Sequence, residues 1–192
     1  RIGLSHADIA RNAVTYNCSE DRMRFNPDRR LIDLMVGQNL YASPDVAMRE
    51  LIQNAEDACS LQQLKGQDYQ PDILVRYSAS KNWVSVADNG LGMNQETIDK
   101  SFAAVGATKD NVSHIRDLLA ANGGSRQIAQ FGVGILSCFG VADRVTFSTR
   151  MDDQASLAFA IADYHDEWQA LDEPREARGT TIHLQLKPGG PM

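Results

Sequence analysis

Glu50, Asn54 and Asp57 carry oxygen atoms at a spacing that brings them together on one side of a helix. At about 100° per residue, Asn54 lies about 40° from Glu50, and Asp57 lies about 20° away on the other side. A row of carboxylate, carboxamide and carboxylate suggests the wall of a pocket for a polar ligand. The alternative is a helix flank that water covers, and the spacing alone leaves both interpretations open.

This helix has three faces, whereas an ordinary amphipathic helix has two. The polar row is one of them, and the other positions form the remaining two. An apolar sector adjoins the polar row, and it consists of Met48, Leu51, Ile52, Ala55, Ala58 and Cys59. The remaining sector is formed by Arg49, Gln53, Glu56 and Ser60. The polar row therefore lies at the edge of the side that we expect to be buried.

A second candidate site is the segment 88–93, which reads Asp-Asn-Gly-Leu-Gly-Met. Asn-Gly is a strong hairpin signal, but here a helix is expected to follow instead of a partner strand. Gly90 and Gly92 permit close approach of the backbone to a ligand. At the end of a strand, Asp88 could accept a hydrogen bond from an exocyclic amine, which would favour adenine over guanine.

A third candidate site is Gly132-x-Gly134, which precedes an apolar helix. Its backbone N–H groups and the helix N-terminus could face phosphates, although such a glycine pair is also common in a tight turn. The sequence contains no G-x-x-x-x-G-K-[ST] segment and no His-Arg-Asp kinase loop, which excludes a Walker-type phosphate loop and argues against a protein kinase. The four histidines lack the spacing of a zinc site. Ser137 and Cys138 lie in an apolar helix, where packing explains them better than catalysis.

Local patterns place the candidate residues on helices and at strand ends. Helices are predicted over residues 4–16, 28–40, 44–64, 94–105, 114–121 and 135–141. Strands are predicted over residues 73–78, 83–87, 144–149, 155–162 and 180–187. Strands grouped in runs with short loops imply an α+β two-layer sandwich, with helices on one face of a mostly antiparallel sheet. The segment 106–130 is long for a connection, and we interpret it as a lid.

Composition narrows the class of protein. A chain of 192 residues with 43% hydrophobic and 23% charged residues suits one soluble globular domain. The 19 Lys and Arg residues and 25 Asp and Glu residues give a formal net charge of −6, so the composition does not indicate a basic surface for nucleic acid or anionic membrane. No apolar run approaches the roughly 20 residues that span a bilayer. We therefore expect a cytoplasmic protein that binds neither nucleic acid nor membrane.

Taken together, the candidate segments resemble the ordered motifs of the GHKL ATPases, which include gyrase, heat-shock chaperones, histidine kinases and mismatch-repair ATPases. The matching segments are Glu50-x-x-x-Asn54-x-x-Asp57-Ala58, Asp88-x-Gly90-x-Gly92-Met93, Gln130-Phe131-Gly132-Val133-Gly134 and Gly179-Thr180. The resemblance is strongest to the N-terminal ATP-binding domain of the heat-shock-protein-90 chaperones. It rests there on Leu40-Tyr41-x-Ser43-Pro44, Arg49-Glu50-Leu51-Ile52 and residues 130–145, and it covers about residues 25–187.

The resemblance implies roles for these residues in an ATP site of the Bergerat fold, whose mostly antiparallel mixed sheet carries helices on one face and an ATP lid. Glu50 would be the catalytic general base, Asn54 would bind Mg²⁺, and Asp88 would bind the adenine amine. Asp57 would contact the nucleotide through water, Gly92 and Thr180 would hold a water near the base, and Met93 would pack on the base. The phosphates would be contacted by Phe131, Gly132, Val133 and Gly134.

The sequence also departs from the chaperone pattern. Gly106-Ala107-Thr108-Lys109 stands where the chaperones have a Lys-Ser-Gly segment, and Lys109 becomes a further candidate for phosphate contact. The chain ends after the last strand, without the middle domain that supplies an arginine for hydrolysis in the chaperones. We therefore expect binding of ATP and Mg²⁺ with slow hydrolysis to ADP, and a homodimer in the full-length protein.

The predicted organisation is a helical extension over residues 1–24 and the ATP-binding domain over 25–192, with the lid at about 106–130. The favoured function is the ATPase domain of a heat-shock-protein-90-like chaperone with unspecified clients. The alternative is a nucleotide-gated regulatory or interaction module of another GHKL protein, such as a sacsin-like one, with little turnover. A histidine kinase is disfavoured because no dimerisation helix with a phospho-accepting histidine precedes the domain.

Overall fold

The computed structural model describes residues 44–66, 68–102, 112–122, 134–164, 167–172 and 175–188, without the side chains of residues 101, 102 and 134. The predicted helices over 4–16 and 28–40, and the predicted extension over 1–24, lie outside the described residues. Within these ranges no helix is long and apolar enough to cross a membrane.

Helix α1 (Pro44–Gln63) is the longest described element. It begins with proline at its first position and Asp45 in its first turn, where a fixed φ and a negative charge both favour a helix. Its buried side chains recur every four residues at Ala47, Leu51, Ala55 and Cys59, so one stripe faces the core. The predicted helix over 44–64 is confirmed to within one residue.

The other described helices are short. Helix α2 (Gln95–Thr97) is capped by Asn94, whose Oδ1 accepts a hydrogen bond from the Thr97 main-chain N–H at 2.9 Å. It continues as a π-helical turn over Ile98–Phe102, which the predicted helix over 94–105 did not anticipate. Helices α3 (Ser113–Ala121) and α4 (Gly134–Val141) match the predicted helices over 114–121 and 135–141 to within one residue.

Six strands form one sheet in the order β1-β2-β6-β3-β4-β5, and all pairs between described strands are antiparallel. The strands are β1 (Ile73–Ser78), β2 (Trp83–Asp88), β3 (Ala142–Arg150), β4 (Leu157–Ile161), β5 (Gln169–Ala170) and β6 (Gly179–Leu186). The last strand of the chain is thus inserted between β2 and β3. This insertion places the start of β6 beside the end of β2 and the end of β3.

The core lies between the sheet and the helices α1 and α4. Cross-strand partners Val86, Ile182, Phe147 and Phe159 form one continuous apolar row across β2, β6, β3 and β4. Side chains of α1 and α4 belong to the same buried cluster, and they include Leu51, Ala55, Ile135, Leu136 and Phe139. This arrangement confirms the predicted α+β class, with helices covering a face of an antiparallel sheet.

Candidate functional site

The polar row of α1 lies at the boundary between the buried and exposed sides of the helix. Glu50 and Asn54 are half-buried and Asp57 is buried, whereas Glu56 is exposed. Gln53 donates a hydrogen bond from Nε2 to Oδ1 of Asp57 at 3.3 Å. Glu50 and Asn54 therefore lie at the edge of the apolar stripe and Asp57 lies on its buried side, next to the stripe as the helical period indicated.

Glu50 is close to helix α4. The pKa of the Cys138 thiol is raised to about 12, mainly because the thiol is buried and secondarily because the negative charge of Glu50 opposes a thiolate. Cys138 is fully buried in α4. The N-terminal half of α1 therefore lies beside the helix that begins at Gly134, the last glycine of the predicted phosphate segment.

The segment 88–93 is held against the C-terminal half of α1. The main-chain N–H of Leu91 donates to the carbonyl oxygen of Ala58 at 3.0 Å. A Cβ atom at Gly90 would lie 2.5 Å from the carbonyl carbon of Ala58, so any larger residue would push the segment away from the helix. Ala58 follows Asp57, and this contact brings the polar row of α1 close to the segment that contains Asp88.

Asp88 is buried, with 8% of its surface exposed, at the end of β2. Its Oδ1 accepts hydrogen bonds from the main-chain N–H of Gly90 at 2.8 Å and of Thr180 at 3.2 Å. A carboxylate held by two backbone donors keeps one orientation and remains a strong acceptor. The structure thus brings together Asp88 and Thr180, two of the predicted base-binding residues.

Two glycines adopt backbone conformations that other residues rarely adopt. Gly92 has φ of +71° and Gly179 has φ of +113°. A Cβ atom at Gly92 would clash with the carbonyl oxygen of Arg150, and one at Gly179 would clash with that of Asp88. These close approaches fix the segment 88–93 against the ends of β3 and β6.

Thr149 on β3 is a further member of this site, and the sequence motifs did not single it out. It is fully buried, and its Oγ1 lies 2.9 Å from Oγ1 of Thr180 and accepts a hydrogen bond from the main-chain N–H of Met93 at 2.9 Å. A signal was present, because the inward-facing residues of β3 and β6 change from apolar to threonine at the same end of the sheet. Thr149 thus connects the predicted residues Met93 and Thr180.

Asn89 holds the segment 88–93 from its outer side. Its Oδ1 accepts hydrogen bonds from the Tyr69 hydroxyl at 2.6 Å and from the main-chain N–H of Asp72 at 2.9 Å. Its Nδ2 donates to the carbonyl oxygen of Gln70 at 2.9 Å. Asn89 therefore does more than permit a turn, which was the only role its Asn-Gly sequence suggested.

Two arginines before β6 bind the backbone of the same segment. Arg175 donates from Nη2 to the carbonyl oxygen of Asp88 at 3.0 Å. Arg178 donates from Nε to the carbonyl oxygens of Asn89 at 3.3 Å and Gly90 at 3.1 Å. The guanidinium carbon of Arg178 also lies 5.5 Å from the centre of the Tyr69 ring, within the range of a cation–π contact. Three consecutive carbonyl groups therefore have charged donors.

Helix α3, which lies inside the predicted lid, is anchored to α2. Glu96 accepts hydrogen bonds from the Ser113 hydroxyl at 2.8 Å and main-chain N–H at 3.2 Å, and from Lys100 Nζ at 3.1 Å. The Ser113 hydroxyl, followed by Lys100, lowers the pKa of Glu96 to about 2. Burial lowers the pKa of the neighbouring His114. Apolar side chains also pack α3 against the end of α1 and the segment 88–93, and the buried ones are Leu61, Leu91, Val112 and Ile115.

Several predicted phosphate-binding residues fall outside the described residues. These are Lys109, Phe131, Gly132 and Val133. Gly134 is the first residue of α4. The described site therefore consists of the base side around Asp88 and the polar row of α1, and the predicted roles of the remaining residues stay predictions.

Comparison with known proteins identifies a family that matches this chain. Residues 41–184 match the family described as histidine kinase-, DNA gyrase B-, and HSP90-like ATPase. Proteins named "Chaperone protein HtpG" are similar to the chain. That of Pseudoalteromonas translucida is 33% identical over 83% of this chain and 26% of its own length. That of Serratia proteamaculans is 32% identical over 84% of this chain and 27% of its own length.

A third such protein, from Rickettsia typhi, is 31% identical over 88% of this chain and 29% of its own length. The chain thus spans less than a third of each of these relatives. The matched residues include the polar row of α1, the segment 88–93 and Thr180. The chain belongs to the family of histidine kinase-, DNA gyrase B- and HSP90-like ATPases.

Proposed function

We propose that this chain binds ATP with Mg²⁺ and hydrolyses it slowly, as the N-terminal ATPase domain of a heat-shock-protein-90-like chaperone. The observation that carries the proposal is the buried Asp88 carboxylate, whose Oδ1 is fixed by the main-chain N–H groups of Gly90 and Thr180. It is supported by the family match over residues 41–184 and by the similarity to proteins named HtpG.

The base side fits adenine chemically. A buried carboxylate is an acceptor, and it can accept a hydrogen bond from the exocyclic amine of adenine. Guanine presents a carbonyl oxygen at the matching position, and two acceptors facing each other in a buried site are unfavourable. The resemblance implies that Met93 packs on the base. Its main-chain N–H is bound by Thr149, and its partly buried side chain packs against the core. Gly92 and Thr180 would hold a water beside the base.

The polar row of α1 fits the triphosphate side. Asn54 offers a carboxamide oxygen, a ligand type that Mg²⁺ accepts while it keeps waters and phosphate oxygens. When bound, Mg²⁺ would neutralise charge on the phosphates. Asp57 would contact the nucleotide through water, and Lys109 with residues 131–134 would contact the phosphates.

Glu50 is the proposed general base. Its half-buried carboxylate on α1 would accept a proton from a water molecule whose oxygen forms a bond to the γ-phosphorus. The bond between the γ-phosphorus and the bridging oxygen of ADP breaks in the same reaction. The turnover that we propose is slow.

The chaperone role, a homodimer in the full-length protein and a cytoplasmic location are parts of the same proposal, supported by the relatives' names. We also propose that the protein binds neither nucleic acid nor membrane, in keeping with its formal charge of −6. The alternative remains a nucleotide-gated regulatory or interaction module of another GHKL protein with little turnover. Hydrolysis that depends on Glu50 distinguishes the two.

The test compares Glu50→Gln with Glu56→Gln, a matched control on the exposed side of α1. Calorimetry with and without Mg²⁺ measures ATP binding, and phosphate release measures turnover. We expect Glu50→Gln to bind ATP about as well as the wild type but to lose roughly a hundredfold in turnover, a typical contribution of a general base. Glu56→Gln should change neither quantity.

Two results would contradict the proposal. The absence of Mg²⁺-dependent ATP binding by the wild type would remove the nucleotide site itself. Equal turnover of the wild type and Glu50→Gln would remove Glu50 as the general base, and it would assign the domain to the nucleotide-gated alternative where that turnover is negligible and ATP binding is kept.

A further inference from the structure

We propose that strand β1 is an interaction surface for a second copy of this chain. The second copy adds its own β1 antiparallel to the first, and the two sheets become one. A two-fold axis passes through Val75, so that Val75 lies opposite the partner's Val75. The interface uses the edge of the sheet and does not depend on the proposed ATP site.

Strand β1 is the longer of the two edges of the described sheet. The sheet runs in the order β1-β2-β6-β3-β4-β5, so among the described strands β1 pairs with β2 alone. The opposite edge, β5, has two residues, whereas β1 has six and pairs with β2 without a bulge. Short strands and bulges protect sheet edges from pairing with another chain. Strand β1 has neither protection.

The register with β2 shows which main-chain groups of β1 point outward. Successive residues of an antiparallel strand direct their N–H and C=O groups to opposite sides. The main-chain N–H of Asn89 donates to the carbonyl oxygen of Asp72 at 3.2 Å, so Asp72 and every second residue after it face β2. Ile73, Val75 and Tyr77 therefore direct their N–H and C=O groups away from the sheet.

The other side of β2 agrees with this assignment. The main-chain N–H of Leu186 on β6 donates to the carbonyl oxygen of Asn82 at 2.9 Å. Asn82 and every second residue after it therefore face β6. The residues between them, including Asn89, face β1.

Exposed apolar side chains lie on the same strand. Among the described residues, the large hydrophobic side chains that are exposed are Leu74 at 40%, Val75 at 44% and Tyr77 at 71%. Val75 is the cross-strand partner of the core residue Val86, so Val75 and Tyr77 share the sheet face that the helices cover elsewhere. Apolar side chains beside outward-pointing main-chain groups favour the addition of a further strand.

The sequence of β1 is complementary to itself when two copies run antiparallel about Val75. Ile73 then lies opposite the partner's Tyr77, and both pairs and the central valine pair exchange main-chain hydrogen bonds through their outward-pointing groups. On the other face of the sheet, Leu74 lies opposite the partner's Arg76, whose aliphatic stem can cover it. Apolar cross-strand pairs of this kind stabilise a sheet.

Charge also favours a second copy as the occupant of this edge. Asp72 and Arg76 are exposed, and both lie on the same face of β1 as Leu74. In the register about Val75, Arg76 lies diagonally across from the partner's Asp72, at about 7–8 Å, a separation that a long side chain can bridge. The two Arg76 side chains are diagonal neighbours as well, and each can turn toward Asp72. The two-fold axis repeats the pair of opposite charges.

The test measures association of the chain without nucleotide, so that its outcome is separate from that of the ATP site. One strand pair forms an interface smaller than the roughly 1,200 Å² of stable complexes, so we expect a weak dimer. Sedimentation velocity over about 10 µM to about 1 mM covers the range of weak affinities. The average mass should rise with concentration toward that of a dimer.

Amide hydrogen exchange followed by NMR identifies the groups at the interface. The main-chain N–H groups of Ile73, Val75 and Tyr77 should exchange severalfold more slowly at the highest concentration than at the lowest. Those of Leu74 and Arg76 already donate to β2 and should not change. This alternation is specific to pairing along the edge of β1.

Val75→Lys should weaken dimerisation at least tenfold, because it places two like charges directly opposite each other at the two-fold axis. The fold should be retained, since the side chain of Val75 is already exposed, and circular dichroism checks this. Ala155→Lys is the matched control, because it adds the same charge at an exposed apolar residue between β3 and β4. It should leave dimerisation unchanged.

A charge exchange tests the register. Arg76→Asp places an acidic group diagonally across from the partner's Asp72 and should weaken dimerisation severalfold. Adding Asp72→Arg to the same chain restores two pairs of opposite charge and should recover most of the loss.

A chain that stays monomeric up to about 1 mM would overturn the proposal, even if β1 were found to bind an extended peptide. A dimer that is insensitive to Val75→Lys, or that leaves the exchange of the Val75 amide unchanged, would place the interface elsewhere and overturn it too. Either result would leave the proposed ATP site standing, and a loss of that site would leave this interface standing.

Discussion

The main-chain N–H of Thr180 donates to Oδ1 of Asp88 across 3.2 Å, although the two residues are 92 positions apart in the sequence. The bond joins the end of β2 to the start of β6, and Gly90 supplies a second donor to the same oxygen at 2.8 Å. The acceptor proposed to recognise adenine is therefore held in place before any ligand binds. Binding then costs little ordering of the protein at this position.

Replacing Asp88 with asparagine should abolish most ATP binding while the fold is retained. The new carboxamide oxygen can still accept from Gly90 and Thr180, but the carboxamide nitrogen is a donor and would oppose the donor amine of adenine. A hydrogen bond to a charged group contributes about 1.5–3 kcal/mol, so we expect affinity to fall at least about tenfold. Calorimetry measures the affinity, and circular dichroism checks the fold.

Asp153→Asn is the matched control for Asp88→Asn. Asp153 is exposed and has φ of +59°, a conformation that asparagine adopts readily. ATP affinity should not change in this variant. Full affinity of Asp88→Asn would refute the assignment of Asp88 to the base.

Replacing Gly92 with alanine should destabilise the domain. Its φ of +71° is unfavourable for alanine, and the added Cβ would clash with the carbonyl oxygen of Arg150. We expect the free energy of unfolding to fall by about 2 kcal/mol or more, as measured by urea denaturation. Gly66→Ala should have little effect, because nothing lies within 4 Å of a Cβ atom there. Similar losses in both variants would argue against a specific constraint at Gly92.

Removing the Tyr69 hydroxyl should also lower stability. It donates to Asn89 Oδ1 at 2.6 Å in a partly buried setting, and loss of a neutral hydrogen bond costs about 1 kcal/mol. Tyr77→Phe is the control, because Tyr77 is 71% exposed. In a double-mutant cycle, Tyr69→Phe and Asn89→Ala should be coupled, since each removes the same bond. Strictly additive losses would mean that this bond contributes nothing measurable.

Acid should weaken the attachment of α3 to α2. The pKa of Glu96 is about 2 in the folded chain and 4.5 in the absence of its partners. Because the folded value is the lower one, the stabilisation is fully present above pH 4.5 and is lost as the pH falls from about 4.5 toward 2. In Glu96→Gln this dependence should be missing. Because Nδ1 of His114 lies 3.8 Å from Oε2 of Glu96, the variant also removes the ion pair with the protonated His114, so the comparison reports the loss of all charge contacts of Glu96.

The measurement for Glu96 is thermal unfolding of the wild type and Glu96→Gln at about pH 7 and about pH 3. The difference in melting temperature between the two proteins should shrink at the lower pH. A difference that is the same at both values would show that the Glu96 charge does not contribute to the contact with Ser113.

Much of the fold was predictable because its signals are local. The three faces of α1 follow from the helical period, and β6 follows from the alternation of Thr180, Ile182 and Leu184. The two-residue strand β5 is too short to show a period. The insertion of β6 between β2 and β3 is a long-range property of the sheet, which no local pattern encodes.

The candidate site was predictable where a residue type carries its chemistry alone. Asp88 stood out as a carboxylate at a strand end between turn residues. Thr149 did not, because within β3 its hydroxyl is indistinguishable from that of an ordinary strand threonine until β6 brings Thr180 to 2.9 Å. Arg178 likewise acquires its role only through contacts with Asn89 and Gly90, which precede it by 89 and 88 residues.

The row of Asp88, Thr180 and Thr149 crosses three neighbouring strands at the centre of the sheet. Groups of this kind separate only when the strands separate, so the base side of the site cannot open by a local fluctuation of a loop. The main-chain N–H groups of Gly90, Thr180 and Met93, which donate to Asp88 and Thr149, should therefore exchange with solvent more slowly than those of an exposed loop. A nucleotide would then have to enter and leave from the triphosphate side of the site, while the base side keeps its structure.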